Sequence, residues 1–313
     1  MATPKTKRPR PPKRPAVQHP KSRQAPSAWR RYAVAAAALV AVAGIAIGLV
    51  VSRGGGSARS STGLPNTPDY HSLLVNPKNP QHLILGTHIG LYVSGDGGRH
   101  WRFDSLSGSD AMNLARPAGS TIWLAGHEVF KKSTDGGVSW TDVRPDGLRG
   151  LDIHGFAVDP RRPATLYAAL AGQGLYRSAD GGRSFTLASR DVGGAVMALA
   201  VLPDGRILAG DPQQGLLVSR DGGRNWQRLL AAQVIGLAVN PEDPARLLAT
   251  GTGIALSTDG GRSWRSVLDL PDGAGPVAWS KSNPRIAYVV GFDRTLYRST
   301  DGGQSWQTVG EEG

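Results

Sequence analysis

The sequence predicts an all-β, six-bladed β-propeller, preceded by one membrane-spanning helix and a basic tail. Three observations carry that expectation. An octet, Ser-x-Asp-Gly-Gly-x-x-Trp, recurs at residues 94–101, 133–140, 178–185, 219–226, 257–264 and 299–306, with Phe185 in place of tryptophan in the third copy. Its aspartates, Asp96, Asp135, Asp180, Asp221, Asp259 and Asp301, lie 39, 45, 41, 38 and 42 residues apart, the period of a repeat architecture. Each unit holds four short apolar runs without helical periodicity, whereas residues 32–51 form one uncharged run long enough to cross a bilayer.

Charge orders the chain from its first residue. The formal net charge is +12, from 36 Lys and Arg against 24 Asp and Glu. Twelve of the basic residues and none of the acids fall within residues 1–59, so residues 60–313 carry 24 charges of each sign. The balanced propeller therefore predicts no nucleic-acid partner, because such domains carry a basic footprint of their own. Cysteine is absent, which excludes disulfide scaffolds, thiolate-ligated zinc and thiol catalysis.

Residues 1–28 are rich in proline, lysine and arginine and are expected to be a disordered tail. Residues 29–51 are expected to form the membrane helix, a signal anchor whose apolar run 32–51 spans roughly 30 Å as a helix. Trp29 and Tyr32 would sit at the interface, and the excess of positive charge before the run places the amino terminus in the cytoplasm and the propeller outside. A single-pass membrane protein is expected. The alternative is a secreted protein cleaved after a signal sequence, with Ala41-Val42-Ala43 as the small-residue site. Gly44 and Gly48 have the spacing that lets two such helices pair into a dimer. Residues 52–69, rich in Gly, Ser and Pro, read as a flexible linker, and residues 70–310 as the propeller.

Within each unit a first apolar strand, such as Leu73-Leu74-Val75, is followed by a turn that often holds Asn-Pro or Asp-Pro, such as Asn76-Pro77. A second strand (Leu83-Ile84-Leu85) and a third (Gly90-Leu91-Tyr92-Val93) lead into the octet. The octet has the chemistry of a turn: paired glycines supply positive φ, aspartate and serine tie backbone amides, and the aromatic plugs the blade. The plugs are Trp101, Trp140, Phe185, Trp226, Trp264 and Trp306. One carboxylate per octet is too few for calcium, which takes six to eight oxygens.

The octet resembles the Asp-box, or BNR, repeat found in sialidases and other glycoside hydrolases, in the sortilin luminal domain and in photosystem II assembly factors of the Ycf48/HCF136 type. The resemblance covers residues 70–310 and implies that the boxes lie opposite the ligand-binding face. A sialidase would also carry a Phe/Tyr-Arg-Ile-Pro motif, an arginine triad and a tyrosine paired with glutamate. Here the Arg-Ile pairs, Arg206-Ile207 and Arg285-Ile286, are not followed by proline, and glutamate occurs only at 128, 242, 311 and 312. The repeat scaffold without a recognisable catalytic set, taken with the apolar run, predicts a membrane-anchored extracytoplasmic module that binds a protein, peptide or glycan, as the resemblance to sortilin-like and assembly-factor-like propellers implies. The alternative is a divergent glycoside hydrolase using Glu128 with Asp110 or Asp211.

The second-to-third-strand turns and the blade-to-blade connections would form the upper rim. They gather the candidate ligand-binding residues His88, His127, Glu128, His154, Arg149, Arg190, Asp211, Asp293 and Arg294. His88, His127 and His154 could converge with Glu128 on a metal or an acidic ligand; read as separate solvated loop residues, they assign no metal and no cofactor. Arg149, Arg190 and Arg294 could clamp a carboxylate or phosphate, or pair with Asp191 and Asp293.

Overall fold

The computed structural model describes residues 61–192 and 195–310. The expected tail, the apolar run with Gly44 and Gly48, and the first part of the linker lie outside the described residues. Among the described residues no helix is long and apolar enough to cross a membrane.

Among the described residues twenty-five strands form six antiparallel sheets, one per repeat. After β1 (Ser61–Thr62), blade 1 holds β2 (Tyr70–Val75), β3 (Leu83–Thr87), β4 (Gly90–Ser94) and β5 (His100–Ser105). Blade 2 holds β6 (Asn113–Ala115), β7 (Ile122–Gly126), β8 (Val129–Ser133) and β9 (Thr141–Asp142). Blade 3 holds β10 (Ile153–Val158), β11 (Leu166–Leu170), β12 (Gly174–Ser178) and β13 (Thr186–Ser189). Blade 4 holds β14 (Ala198–Val201), β15 (Ile207–Asp211), β16 (Gly215–Ser219) and β17 (Gln227–Leu230). Blade 5 holds β18 (Gly236–Val239), β19 (Leu247–Thr250), β20 (Gly253–Ser257) and β21 (Arg265–Asp269). Blade 6 holds β22 (Ala274–Trp279), β23 (Ala287–Gly291), β24 (Leu296–Ser299) and β25 (Gln307–Thr308). The first strand of every blade is innermost, and β2, β6, β10, β14, β18 and β22 follow one another around the axis until β22 meets β2.

The core lies between blades. Each of six hydrophobic clusters joins two neighbouring sheets, as where Trp123 and Phe130 of blade 2 meet Ile153, Phe156 and Phe185 of blade 3. The second strands, buried along their whole length, read as continuous apolar runs for that reason. The ring closes where Tyr70, Leu83 and Trp101 of blade 1 share a cluster with Tyr288, Val290 and Leu296 of blade 6, and Tyr288 Oη donates across the seam to the Pro80 carbonyl (3.1 Å).

Two expectations change here. The flexible linker was placed at 52–69, yet β1 pairs with the outer strand β5 and the following residues pack down. Gly63 donates to the Arg99 carbonyl, Tyr70 Oη donates to the Pro65 carbonyl, and Thr67 is buried. The outer edge of blade 1 would otherwise present unpaired backbone groups, and β1 covers it. The octet aromatics were all expected to be buried plugs. Trp101 and Phe185 are, but Trp140, Trp226, Trp264 and Trp306 are half-buried at the blade rims.

The octets form one repeated turn on the lower face. In the first, Ser94 Oγ donates to Asp96 Oδ1 (2.8 Å) and accepts from the Gly98 amide (2.8 Å). Asp96 Oδ1 then accepts the amides of Arg99 and His100. The seventh position, unspecified in the sequence pattern, is polar in every copy: His100, Ser139, Ser184, Asn225, Ser263 and Ser305 each donate to the box aspartate. Although burial opposes ionisation, the hydrogen bonds from His100 and Ser94 hold Asp96 at about 2. Asp301 is held at about 2 in the same way by Ser305 and Ser299.

Candidate functional site

On the opposite face an axial cavity of about 370 Å³ opens among the inner strands. Each blade contributes the start of its first strand, as the repeat demands: His71 to Leu73, Met112 to Leu114, His154 with Phe156, Met197 to Leu199, Ile235 to Leu237, and Gly275 to Val277. Apolar side chains line the cavity all round, Leu73, Met112, Leu114 and Phe156 from blades 1 to 3 and Met197, Leu199, Ile235, Val277 and Phe292 from blades 4 to 6. The side of blades 1 to 3 is mixed, because Asp69, His71, Asn113 and His154 lie on it as well.

The mixed side continues into a cluster built around Asp110, which sits in the connection from blade 1 to blade 2 and has a side chain only 8% exposed. Its Oδ1 lies 3.3 Å from His71 Nε2, and its Oδ2 lies 3.3 Å from His88 Nδ1 and 3.0 Å from His127 Nδ1. His71 Nε2 is also 3.7 Å from Asp69 Oδ1. Beyond His127, its Nε2 meets His154 Nε2 at 2.9 Å, and both nitrogens lie 3.1 Å from Asp152 Oδ1.

Backbone detail explains why these groups meet. Gly86, next to last in β3, and Gly126, last in β7, stand just before His88 and His127; a Cβ on Gly86 would strike the Ala111 carbonyl, and one on Gly126 the Asp110 carbonyl. Glycine there lets the connection carrying Asp110 lie against both strand ends. Asn113, buried at the start of β6, donates to the His154 carbonyl (3.0 Å) and accepts from the Phe156 amide (3.2 Å), which fixes β10 beside blade 2.

The charges are arranged unevenly. The Asp110 carboxylate beside its ring raises the pKa of His127. Burial lowers that of His71 and of His154. Burial opposes ionisation of Asp110 itself, but the hydrogen bond from His127 and the imidazoles of His71 and His88 hold its pKa below the ordinary value.

The structure brings His88, His127, His154 and Asp110 together, so the histidines are not separate solvated loop residues. Glu128 is not among them: it is an exposed turn residue with φ +54°, next to His127 but outside the cavity lining. Asp211 is buried and caps its own turn, accepting from the amides of Gln213 (2.7 Å) and Gln214 (2.9 Å). Neither Asp110, ringed by imidazoles, nor Asp211 stands free as a carboxylate partner for Glu128. Arg149 and Arg190 are exposed and do not line the cavity. Arg294 donates to Asn66 (2.7 Å) rather than pairing with Asp293. Asp293 accepts from Tyr297 Oη (2.6 Å), and burial together with that carboxylate pushes the phenol up to about 12. Asp69, His71, Asp152 and Asn113 were missed. Asp69-Tyr70-His71 and Asp152-Ile153-His154 are one Asp-x-His pattern at equivalent starts of an inner strand, a signal visible in the sequence.

The photosystem II assembly lipoprotein Ycf48 of Synechococcus sp. (strain CC9902) is 25% identical over 215 residues, which cover 65% of this chain. The matched segment spans 60% of that relative's length. Among solved structures, YCF48 bound to D1 peptide superposes with a TM-score of 0.52 at 20% identity, covering 81% of this chain and 84% of that one. The GH74 xyloglucanase of Xanthomonas campestris superposes with a TM-score of 0.57 at 18% identity, covering 80% of this chain and 47% of that one. At such identities these likenesses establish the propeller fold and nothing finer. The family model described as photosynthesis system II assembly factor YCF48 matches residues 69–311, which takes in all six blades, and the chain belongs to that family.

Proposed function

We propose that the chain is a membrane-anchored, extracytoplasmic assembly module that takes a segment of a partner protein into the axial cavity of its upper face. The cavity is the observation that carries this reading. It is concave and large enough for one or two side chains, with apolar lining all round for burial and polar groups on one side for orientation. Family membership supports a protein-binding rather than a hydrolytic role, and a peptide complex is known for a propeller of the same kind. The arrangement of carboxylates supports it too, since Asp110 and Asp211 are already engaged. Anchoring by residues 32–51 rests on the sequence alone.

The test is binding of a peptide array to the purified full-length chain, repeated with Phe292→Asp and Met197→Asp. Phe292 is 41% exposed and Met197 half-buried, so both variants are expected to fold. Peptides retained by the native chain and lost by both variants support the cavity as the binding site. Peptides retained equally by all three chains move the site elsewhere, and an array without retained peptides removes the reading.

A further inference from the structure

We infer that His127, His154 and Asp152 form a binding site for one divalent transition-metal ion of the zinc class. This goes beyond the peptide-binding reading and does not depend on it. His127 Nε2, His154 Nε2 and Asp152 Oδ1 form a triangle with edges of 2.9, 3.1 and 3.1 Å. Ligands held at about 2.1 Å from one metal stand about 3.0 Å apart at a right angle and about 3.4 Å apart at a tetrahedral angle, so the triangle has the dimensions of an octahedral face and opens by a few tenths of an ångström to seat a tetrahedral ion. Two imidazoles with one carboxylate are a borderline donor set, suited to Zn²⁺ and its neighbours rather than to Mg²⁺ or Ca²⁺.

A second observation points the same way. Behind the ligating edge, His127 Nδ1 faces Asp110 Oδ2 at 3.0 Å, and the Asp110 side chain is 8% exposed. A carboxylate at that distance behind the far nitrogen favours the tautomer that carries the proton on Nδ1 and leaves Nε2 as a lone pair, the usual outer support of a metal-binding imidazole. With Nδ1 protonated, three acceptor-bearing atoms converge, and one shared proton can lie on a single edge of the triangle. A dication serves all three at once. The backbone is prepared as well, because Asn113 grips the His154 carbonyl from the neighbouring blade. The other cluster, Asp69, His71 and His88, is looser: His71 Nε2 is 3.7 Å from Asp69 and 3.3 Å from Asp110. The proposed site joins the turn between β7 and β8 to the start of β10, so an ion there would tie blade 2 to blade 3 beside the cavity mouth.

The experiment uses the full-length chain purified without a histidine tag, stripped with a chelator and titrated calorimetrically with Zn²⁺ alone. One saturable ion per chain is expected, undisturbed by excess Mg²⁺. Asp110→Asn is expected to weaken binding about 10- to 100-fold by removing the outer support, and His154→Ala or Asp152→Asn at least as much. Binding of Co²⁺ to the native chain gives a second readout that needs no variant: visible absorption bands distinct from those of the hydrated ion are expected. Absence of saturable Zn²⁺ binding overturns the inference, as does an unshifted Co²⁺ spectrum. So does binding of equal strength in a His127→Ala/His154→Ala double variant whose metal-free unfolding midpoint matches that of the native chain.

Discussion

The lower and upper faces of this propeller are made by the same six repeats, yet they are built on opposite rules. On the lower face one turn is used six times, with the same serine, aspartate and paired glycines closing the same hydrogen bonds. On the upper face the turns differ in length and residues, two residues in blades 1, 2 and 5, three in blades 3 and 4 and four in blade 6. His127-Glu128 makes a two-residue turn in blade 2, residues 212–214 a turn capped by Asp211 in blade 4, and residues 292–295 a longer one in blade 6. Such a division is expected where one face serves folding, which rewards repetition, and the other serves recognition, which needs a unique surface.

Breaking the lower face should cost stability, and by unequal amounts that its repeated sequence conceals. Trp101 is 1% exposed, and its Nε1 donates to the Gly98 carbonyl at 2.9 Å. Trp306, its counterpart, is half-buried, and its Nε1 lacks a hydrogen-bond partner. Trp101→Ala is expected to destabilise by about 3–5 kcal/mol, the usual cost of emptying a buried aromatic site. Trp306→Ala should cost less than half as much, as read from denaturant unfolding of both variants. Equal losses would mean that exposure does not grade the six boxes.

Ser219→Ala comes next. The hydroxyl is fully buried, donates to Asp221 (2.9 Å) and accepts from the Gly223 amide (2.9 Å). Its removal strands that buried amide, at about 1–3 kcal/mol. A variant unfolding at the native midpoint would show that Asp221 and the glycines hold the turn without the hydroxyl.

The boxes also set a pH dependence. Asp96 and Asp301 titrate at about 2 in the folded chain, against about 3.9 for a free aspartate. Both folded values are depressed, so the stability they contribute is present in full above pH 4. It is lost as the pH falls from 4 through 2, where protonation breaks bonds that only the folded state makes. Asp135, Asp180, Asp221 and Asp259 shift in the same direction, led by hydrogen bonds from the seventh box residue. The thermal midpoint is therefore expected to drop between pH 4 and pH 2, and Asp96→Asn to make the drop shallower. A midpoint unchanged over that interval would remove the box carboxylates as a source of stability.

The same contrast explains what the sequence could reveal. Six in-phase octets name the fold, because a turn that recurs must solve the same backbone problem each time, and the apolar second strands follow from burial between blades. The upper face is legible only in part. His88, His127, His154 and Asp110 can be placed on the correct rim from repeat geometry, but which of them touch depends on how connections of different length run between blades. Asp110 reaches three imidazoles only because Gly86 and Gly126 open space for its backbone, a dependence across blades that no local pattern shows. Asp152 and Asp69 precede their histidines by two residues in both cases, and that echo was the available clue. Residues 61–69 misread as linker because their composition is that of a spacer, while their order comes from the strand edge beside them.

The smallest expected effect falls on Glu128, the residue that the sequence placed in both the hydrolase and the ligand readings. Its φ of +54° puts a non-glycine residue in the left-handed region, at a cost of about 1–2 kcal/mol that glycine does not incur. Glycine in turn loses about 0.5–1 kcal/mol more conformational entropy on folding. The two nearly cancel, so Glu128→Gly should shift stability by less than about 1 kcal/mol, with a gain the expected sign. The carboxylate is exposed and does not line the cavity, so peptide retention and Zn²⁺ binding should both match the native chain. Loss of either would return Glu128 to the site, and the upper face would then extend one residue beyond the histidine cluster. If neither changes, His127 and Glu128, adjacent in one two-residue turn, divide between function and backbone geometry, and chain adjacency on this face says nothing about shared chemistry.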